Sequence, residues 1–145
     1  VDKGLAVVLT ACAGGLVAMQ APINAGLGRA TGGLPAALVS FSVGSLCLAA
    51  IVVLSGKAAG LGSTFDVSWY YLVGGLLGAA YVTTALLAVS SIGAGGVAAA
   101  TVTGQLTAAV IIDRLGLFGL DQVPLSFARV AGICLLLAGT YLVLR

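Results

Sequence analysis

Histidine and glutamate are both absent from this 145-residue chain. Losing histidine removes the commonest metal ligand and the usual neutral-pH general base. The only acids are Asp2, Asp66, Asp113 and Asp121, and the only bases are Lys3, Arg29, Lys57, Arg114, Arg129 and Arg145. Charged residues make up 7% of the chain, against about 25% in soluble domains. A net charge of +2, scattered along the chain, is too small for a nucleic-acid footprint. Three cysteines, Cys12, Cys47 and Cys134, lie in apolar stretches with no CxxC or Cys/His spacing. They give neither a metal site nor a disulfide framework, and are expected to be small buried residues. No triad, zinc-ligand set or phosphate loop occurs, and Gly93, Gly95 and Gly96 have no nucleotide-binding context. The expectation is a non-enzyme without cofactor or metal.

What the chain has instead is apolar length. Hydrophobic residues are 61% of it and its mean hydropathy is +1.23. Five apolar segments span residues 4–27, 35–54, 69–89, 93–112 and 127–144. Each approaches the ~20 residues with which a helix crosses hydrocarbon. None alternates with period two, so a β-barrel is not expected, which leaves helices for backbone in lipid. The predicted fold class is an all-α membrane protein, a single five-helix transmembrane domain over 1–145. Gly26 to Gly33 read as a flexible first turn, with Pro35 in the first turn of the second helix. Residues 55–68 form the longest polar loop, followed by an interfacial anchor at Trp69, Tyr70 and Tyr71. The short turn around Ser90, Ser91 and Gly93 makes helices three and four antiparallel neighbours. The linker 113–126 is broken by Gly116, Gly119 and Pro124 and is expected to lie in the interface. Lys3 and the run before Cys12 resemble a signal peptide with a lipoprotein box. The apolar run continues to Met19, so a first membrane helix is expected.

An odd number of spans puts the two termini on opposite sides of the membrane. Lys3, Lys57, Arg114 and Arg129 then lie on the N-terminal side, and Arg29 and Arg145 on the other. Four against two favours a cytoplasmic N-terminus by the positive-inside rule. The margin is thin enough that two arrangements stay open: an ordinary N-in protein, and copies inserted both ways.

Polar side chains concentrate on three segments. Gln20 and Asn24 are one helical turn apart, with Pro22 between them loosening the local hydrogen bonding. Tyr81 and Thr84 share a face of the third segment, beside Thr83. Thr101 and Gln105 share a face of the fourth, with Gln105 near mid-span. Such groups either bond neighbouring helices together or line a polar cavity. Gln20, Asn24 and Gln105 together favour a cavity. Asp113 adjoins a span and Arg114, and reads either as a coupling acid or as a solvated or locally paired helix end. Gly74 and Gly78, and Gly132 and Gly139, are expected to be helix-packing seams.

The runs Gln20-Ala-Pro-Ile-Asn24-Ala-Gly-Leu27-Gly28-Arg29-Ala-Thr-Gly32, Phe41 to Gly44, Gly74 to Val82, Gly104-Gln105-Leu, Ile112 to Gly119 and Gly132 to Gly139 occur in that order. Together they resemble the YdcZ-like family of small bacterial inner-membrane proteins, grouped with the drug/metabolite transporter superfamily. The resemblance covers nearly the whole chain. It implies five-helix units, found singly, as gene pairs or fused, whose halves pair antiparallel. That strengthens the dual-topology reading and implies an antiparallel homodimer of ten helices. It also implies a cavity lined by helices one, three and four, where Gln20, Asn24, Tyr81, Thr84, Thr101 and Gln105 become the substrate-binding candidates. The glutamate typical of helix one in the small multidrug transporters is missing, which argues against simple proton-exchange drug export. The expected function is secondary transport, export of a small metabolite or cation by alternating access. Alternatives are a passive channel and a non-transporting partner subunit. The expected partners are the lipid bilayer, a second copy and an unidentified small solute, with no nucleic acid.

Overall fold

Apolar runs that are rich in Ala, Leu and Val and bounded by glycine become helices wherever they are long enough. The computed structural model describes residues 2–145, and no strand occurs among them. The α-helices are α1 (Lys3–Thr31), α2 (Gly33–Leu54), α3 (Gly74–Leu115) and α4 (Phe127–Val143). Short 3-10 turns fill Ala58–Asp66, Trp69–Val73 and Leu117–Gly119. α3 is not one rod. Gly93 has φ 70° and ψ 169°, which breaks it into a first arm, 74–92, and a second arm, 94–115. Among the described residues the helical stretches therefore number five, as the apolar segments do.

Three stretches are long and apolar enough to cross a membrane: Lys3–Thr31, Gly33–Leu54 and the 47-residue Trp69–Leu115. The last would be about 70 Å long if straight. The break at Gly93 divides it into two pieces of about span length. α4, with 17 residues, is shorter and sits at the low end of spanning length, about 25 Å.

The boundaries differ from the sequence reading in instructive places. α1 continues to Thr31 rather than ending near Leu27. The hydroxyl of Thr31 donates to the Leu27 carbonyl at 3.1 Å, and the Gly32 amide donates to Gly28 at 2.8 Å. Reversal needs only Gly32, whose φ of 90° is open to glycine. The flexible turn expected over Gly26 to Gly33 is thus a single-residue one. Pro35 sits in the first turn of α2, where no intrahelical donor is lost. Before α3, Trp69, Tyr70 and Tyr71 form 3-10 backbone rather than regular α-helix. Their rings meet in sequence, Trp69 to Tyr70 edge-on at 6.5 Å and Tyr70 to Tyr71 tilted at 4.4 Å. All three are exposed.

Contacts gather the chain into two compact units, Met19–Ser90, and Val1–Ala18 with Ser91–Arg145. In the first, α2 runs antiparallel to the first arm of α3. A Cβ on Gly33 would lie 3.2 Å from Leu87 and 3.3 Å from Leu86, while one on Gly78 would touch Phe41 at 3.6 Å. Gly28 of α1 faces Leu86 and Ala36 in the same way, at 3.5 and 3.8 Å. Ala36 is completely buried, and Ala21, Ala37, Val82, Ala85 and Leu86 are buried with it. The core is made of small side chains that let helices approach closely, as in membrane packing generally.

In the other unit the second arm of α3 lies antiparallel to α4. Gly95 approaches Val143, and a Cβ on Gly96 would come within 2.8 Å of Leu144. Thr103 meets Leu136 and Thr140, and Asp113 meets Arg129. The linker folds back on the helix it leaves: the Val123 amide donates to the Asp113 carbonyl at 2.9 Å. Gly116, at φ 62°, closes the end of α3 in the left-handed conformation.

One expectation is corrected here. Cys12, Cys47 and Cys134 are exposed, not buried. In water an apolar thiol is driven inside. A chain whose leucines and valines also face outward along every helix has its apolar solvent outside, and the thiols follow them.

Gly93 yields a direct test. Its φ/ψ lies in a region essentially closed to residues with a Cβ. Gly93→Ala is expected to cost about 1–3 kcal/mol of unfolding free energy in detergent. Gly95→Ala, with only Val143 at 3.9 Å to meet, is expected to be close to neutral. Equal midpoints for the two variants in the same denaturant titration would contradict this.

Candidate functional site

The candidate site residues divide between the units. Of the substrate-binding candidates, Gln20, Asn24, Tyr81 and Thr84 belong to Met19–Ser90, and Thr101 and Gln105 to the other, as does the possible coupling acid Asp113. No side chain among these hydrogen-bonds to another within the described residues. Gln20 and Thr84 are exposed, and the Thr84 hydroxyl is satisfied inside its own helix by donating to Ala80 at 2.9 Å. Tyr81 and Thr101 are half-buried, and Gln105 is exposed on the surface of the chain.

Asn24 is different. It is only 5% exposed, and its Nδ2 is buried without a hydrogen-bond partner among the described residues. A buried donor left unmade costs about 1–3 kcal/mol. The chain holds this amide two residues after Pro22, whose ring removes the amide that would have bonded to the carbonyl of Ala18. One turn of α1 thus carries a loosened backbone and an unused donor beside the buried Ala21.

Beside this turn is a cleft of about 450 Å³. Pro22, Gly28 and Arg29 of α1, Gly33 of α2, and Leu86 and Ser90 of α3 help to line it. The Ser90 hydroxyl donates to the Leu87 carbonyl at 2.9 Å. Arg29 is the only charged residue lining it, and it makes no ion pair among the described residues.

A second cleft, about 300 Å³, lies between the second arm of α3 and α4. Leu106, Val110 and Gly132 line it with the one ion pair among the described residues. Arg129 donates through one terminal nitrogen to Asp113 at 3.0 Å, and each side chain is about a third exposed, 35% and 34%. Asp113 is thus paired across the linker to Arg129, not to its neighbour Arg114. Arg129 is positioned by the start of α4, where the Ser126 side chain accepts from the Arg129 amide at 3.3 Å. A pair this exposed contributes about 0–1 kcal/mol. Asp113 at the start of the linker and Arg129 just past its end were the available signal.

Sequence reasoning also passed over Thr103 and Thr140. Thr103 is buried, donates to the Ala99 carbonyl at 2.9 Å, and lies 2.7 Å from the Thr140 hydroxyl. Thr140 also reaches the Ala99 carbonyl at 3.1 Å. This is a polar bond between α3 and α4, additional to the Asp113–Arg129 pair. Thr101, two residues earlier, was the residue singled out. The distinction is which face of α3 meets α4, and that is not set by local sequence.

The packing glycines behave unequally. Cβ atoms on Gly74, Gly132 and Gly139 would meet nothing within 4 Å, and only Gly78 touches a neighbour. The glycines that bring one helix against another are instead Gly28, Gly33 and Gly96, most tightly the last two.

These features define a helical membrane protein with small-residue packing and a few uncommitted polar groups. The chain belongs to the YdcZ family, whose profile matches residues 5–142 and is described as "Putative inner membrane exporter, YdcZ". No curated protein and no solved structure gives a significant match to the chain. Family membership makes the chain a membrane transporter at a coarse level and agrees with its long apolar helices.

The threonine bond is testable by a double-mutant cycle. Thr103→Val and Thr140→Val should each lower unfolding stability by about 0.5–2 kcal/mol. The double variant should lose less than the sum, because the two share one interaction. Strict additivity would show that they do not act together.

Proposed function

We propose that the chain is a secondary transporter that exports a small metabolite or cation by alternating access, working as an antiparallel homodimer of five-span protomers. The observation that carries this reading is the family match over residues 5–142 of the 145-residue chain. Five helical stretches, an odd number, support a dimer of oppositely inserted copies, since two such copies make an inverted repeat. The open faces at Gly74, Gly132 and Gly139 give a partner room to approach. Labelling of single cysteines placed at each terminus, after replacement of the three exposed native ones, tests the arrangement. Each terminus is expected to be reached from both sides of the membrane. A population with every N-terminus on one side would refute dual topology.

Gln105 supports a shared polar cavity in this dimer. Its amide is exposed, unpartnered within the described residues, and can both donate and accept. Asn24 supplies a second unused donor. Transport is measured as saturable, competable solute movement in liposomes, which separates a carrier from a channel. A purified chain that moves solute only with a paralogue present would be a partner subunit. Gln105→Leu is expected to weaken solute binding about ten-fold and to leave unfolding unchanged. A fall in stability with binding retained would make Gln105 a packing residue instead.

A further inference from the structure

We propose that the cleft beside Arg29 is a binding site for an anionic amphiphile, a carboxylate or phosphate head carried on an apolar chain. The proposal stands apart from the transport reading and holds whether or not the protein moves a solute.

Charge gives the head. Arg29 is the only charged residue of the lining, and no acid lines the cleft. The four acids of the chain are Asp2, Asp66, Asp113 and Asp121, and the described ion pairing joins only Asp113, to Arg129. The guanidinium lies back along α1 beside Gly26, where a Cβ would be 3.7 Å from its terminal nitrogen. It stands in the last turn of α1, whose carbonyls carry about half a unit of negative charge. That offsets only part of a full positive charge. The Ser90 hydroxyl is spent on Leu87, so the anion is held by the guanidinium, whose fork suits a carboxylate or phosphate.

The walls give the tail. Pro22, Ala25, Leu86, Leu87 and Val89 are apolar and flank the cleft. Its volume, about 450 Å³, falls within the range of small-molecule sites. Gly28 and Gly33 line it too, and a Cβ on Gly33 would crowd Leu87 at 3.2 Å and Leu86 at 3.3 Å. Arg29 lies two residues before the end of α1, and the end of a membrane-spanning helix is where lipid heads and amphiphile heads would meet it. Both an anionic phospholipid and a free amphiphilic solute satisfy this chemistry.

The test uses the full chain in maltoside micelles, with thermal unfolding as the readout, since a ligand of the native state raises the midpoint. The probes are dodecanoate, dodecanol, dodecyltrimethylammonium, phosphatidylglycerol and phosphatidylcholine. Dodecanoate or phosphatidylglycerol is expected to stabilise the wild type, and the alcohol, the cation and phosphatidylcholine are not. Arg29→Gln should weaken anion binding about ten-fold or more. Arg29→Lys should retain part of it, and Arg145→Gln all of it. Binding of phosphatidylglycerol but not dodecanoate identifies a lipid headgroup as the source. Binding of dodecanoate that phosphatidylglycerol does not displace identifies a free solute. The proposal is overturned if neither anion binds, if the cation or alcohol binds as well as the anion, or if Arg29→Gln binds like the wild type. The comparison of head groups on unmutated protein keeps the test decisive even if Arg29→Gln fails to fold.

Discussion

Hydrocarbon cannot hydrogen-bond a peptide group, and each turn in this chain is shaped by that constraint. Leaving a helix exposes up to four carbonyls and four amides, so exits are brief and made by glycine. Gly32 alone separates α1 from α2, and Gly93 alone interrupts α3. The longer exits fall where polar residues or aromatic rings mark the interface, after Leu54 and after Leu115. There the backbone bonds to itself in 3-10 turns, or folds back, as Val123 does onto Asp113. Close packing follows from the same economy of space. Ala36, with no exposed surface, and Gly28 and Gly33 beside it let three helical segments share a core of small groups.

The polar side chains divide by how they meet this constraint. Four threonines are silent because they donate back to a carbonyl one turn earlier. Thr10 does so to Ala6, Thr31 to Leu27, Thr84 to Ala80 and Thr107 to Thr103. Thr103 and Thr140 do more, joining two helices. The amides of Asn24 and Gln105 have no such outlet, because an amide carries two donors and an acceptor that a single helix does not satisfy. Their being left open in a family of exporters is what makes them functional candidates. The charges obey a different rule. Asp113 and Arg129 neutralise each other at one cleft, while Arg29 stands alone at another. A paired charge mainly positions the linker. An unpaired one next to an apolar wall remains available to a ligand.

Composition and segment length determined the membrane setting, the helical class and the five helical stretches, because burial of backbone in lipid admits one secondary structure and sets its length. The resemblance carried by residues such as Gln20, Asn24, Gly74 and Gly104 determined the family. Turn residues were legible too: glycines end the helices at Gly32, Gly93 and Gly116. What the sequence could not set is which face of each helix meets another. A helix that is apolar all round has no amphipathic stripe to point inward, so rotation is decided by shape. Tertiary structure alone chose Thr103 over Thr101 for the bond to α4, Gly28 and Gly33 over Gly74 for close approach, and Arg129 over Arg114 as the partner of Asp113. It also left Asn24 buried and unsatisfied while Gln20, one turn away, stayed exposed. Those choices rest on contacts between residues far apart in the chain, which local pattern does not record.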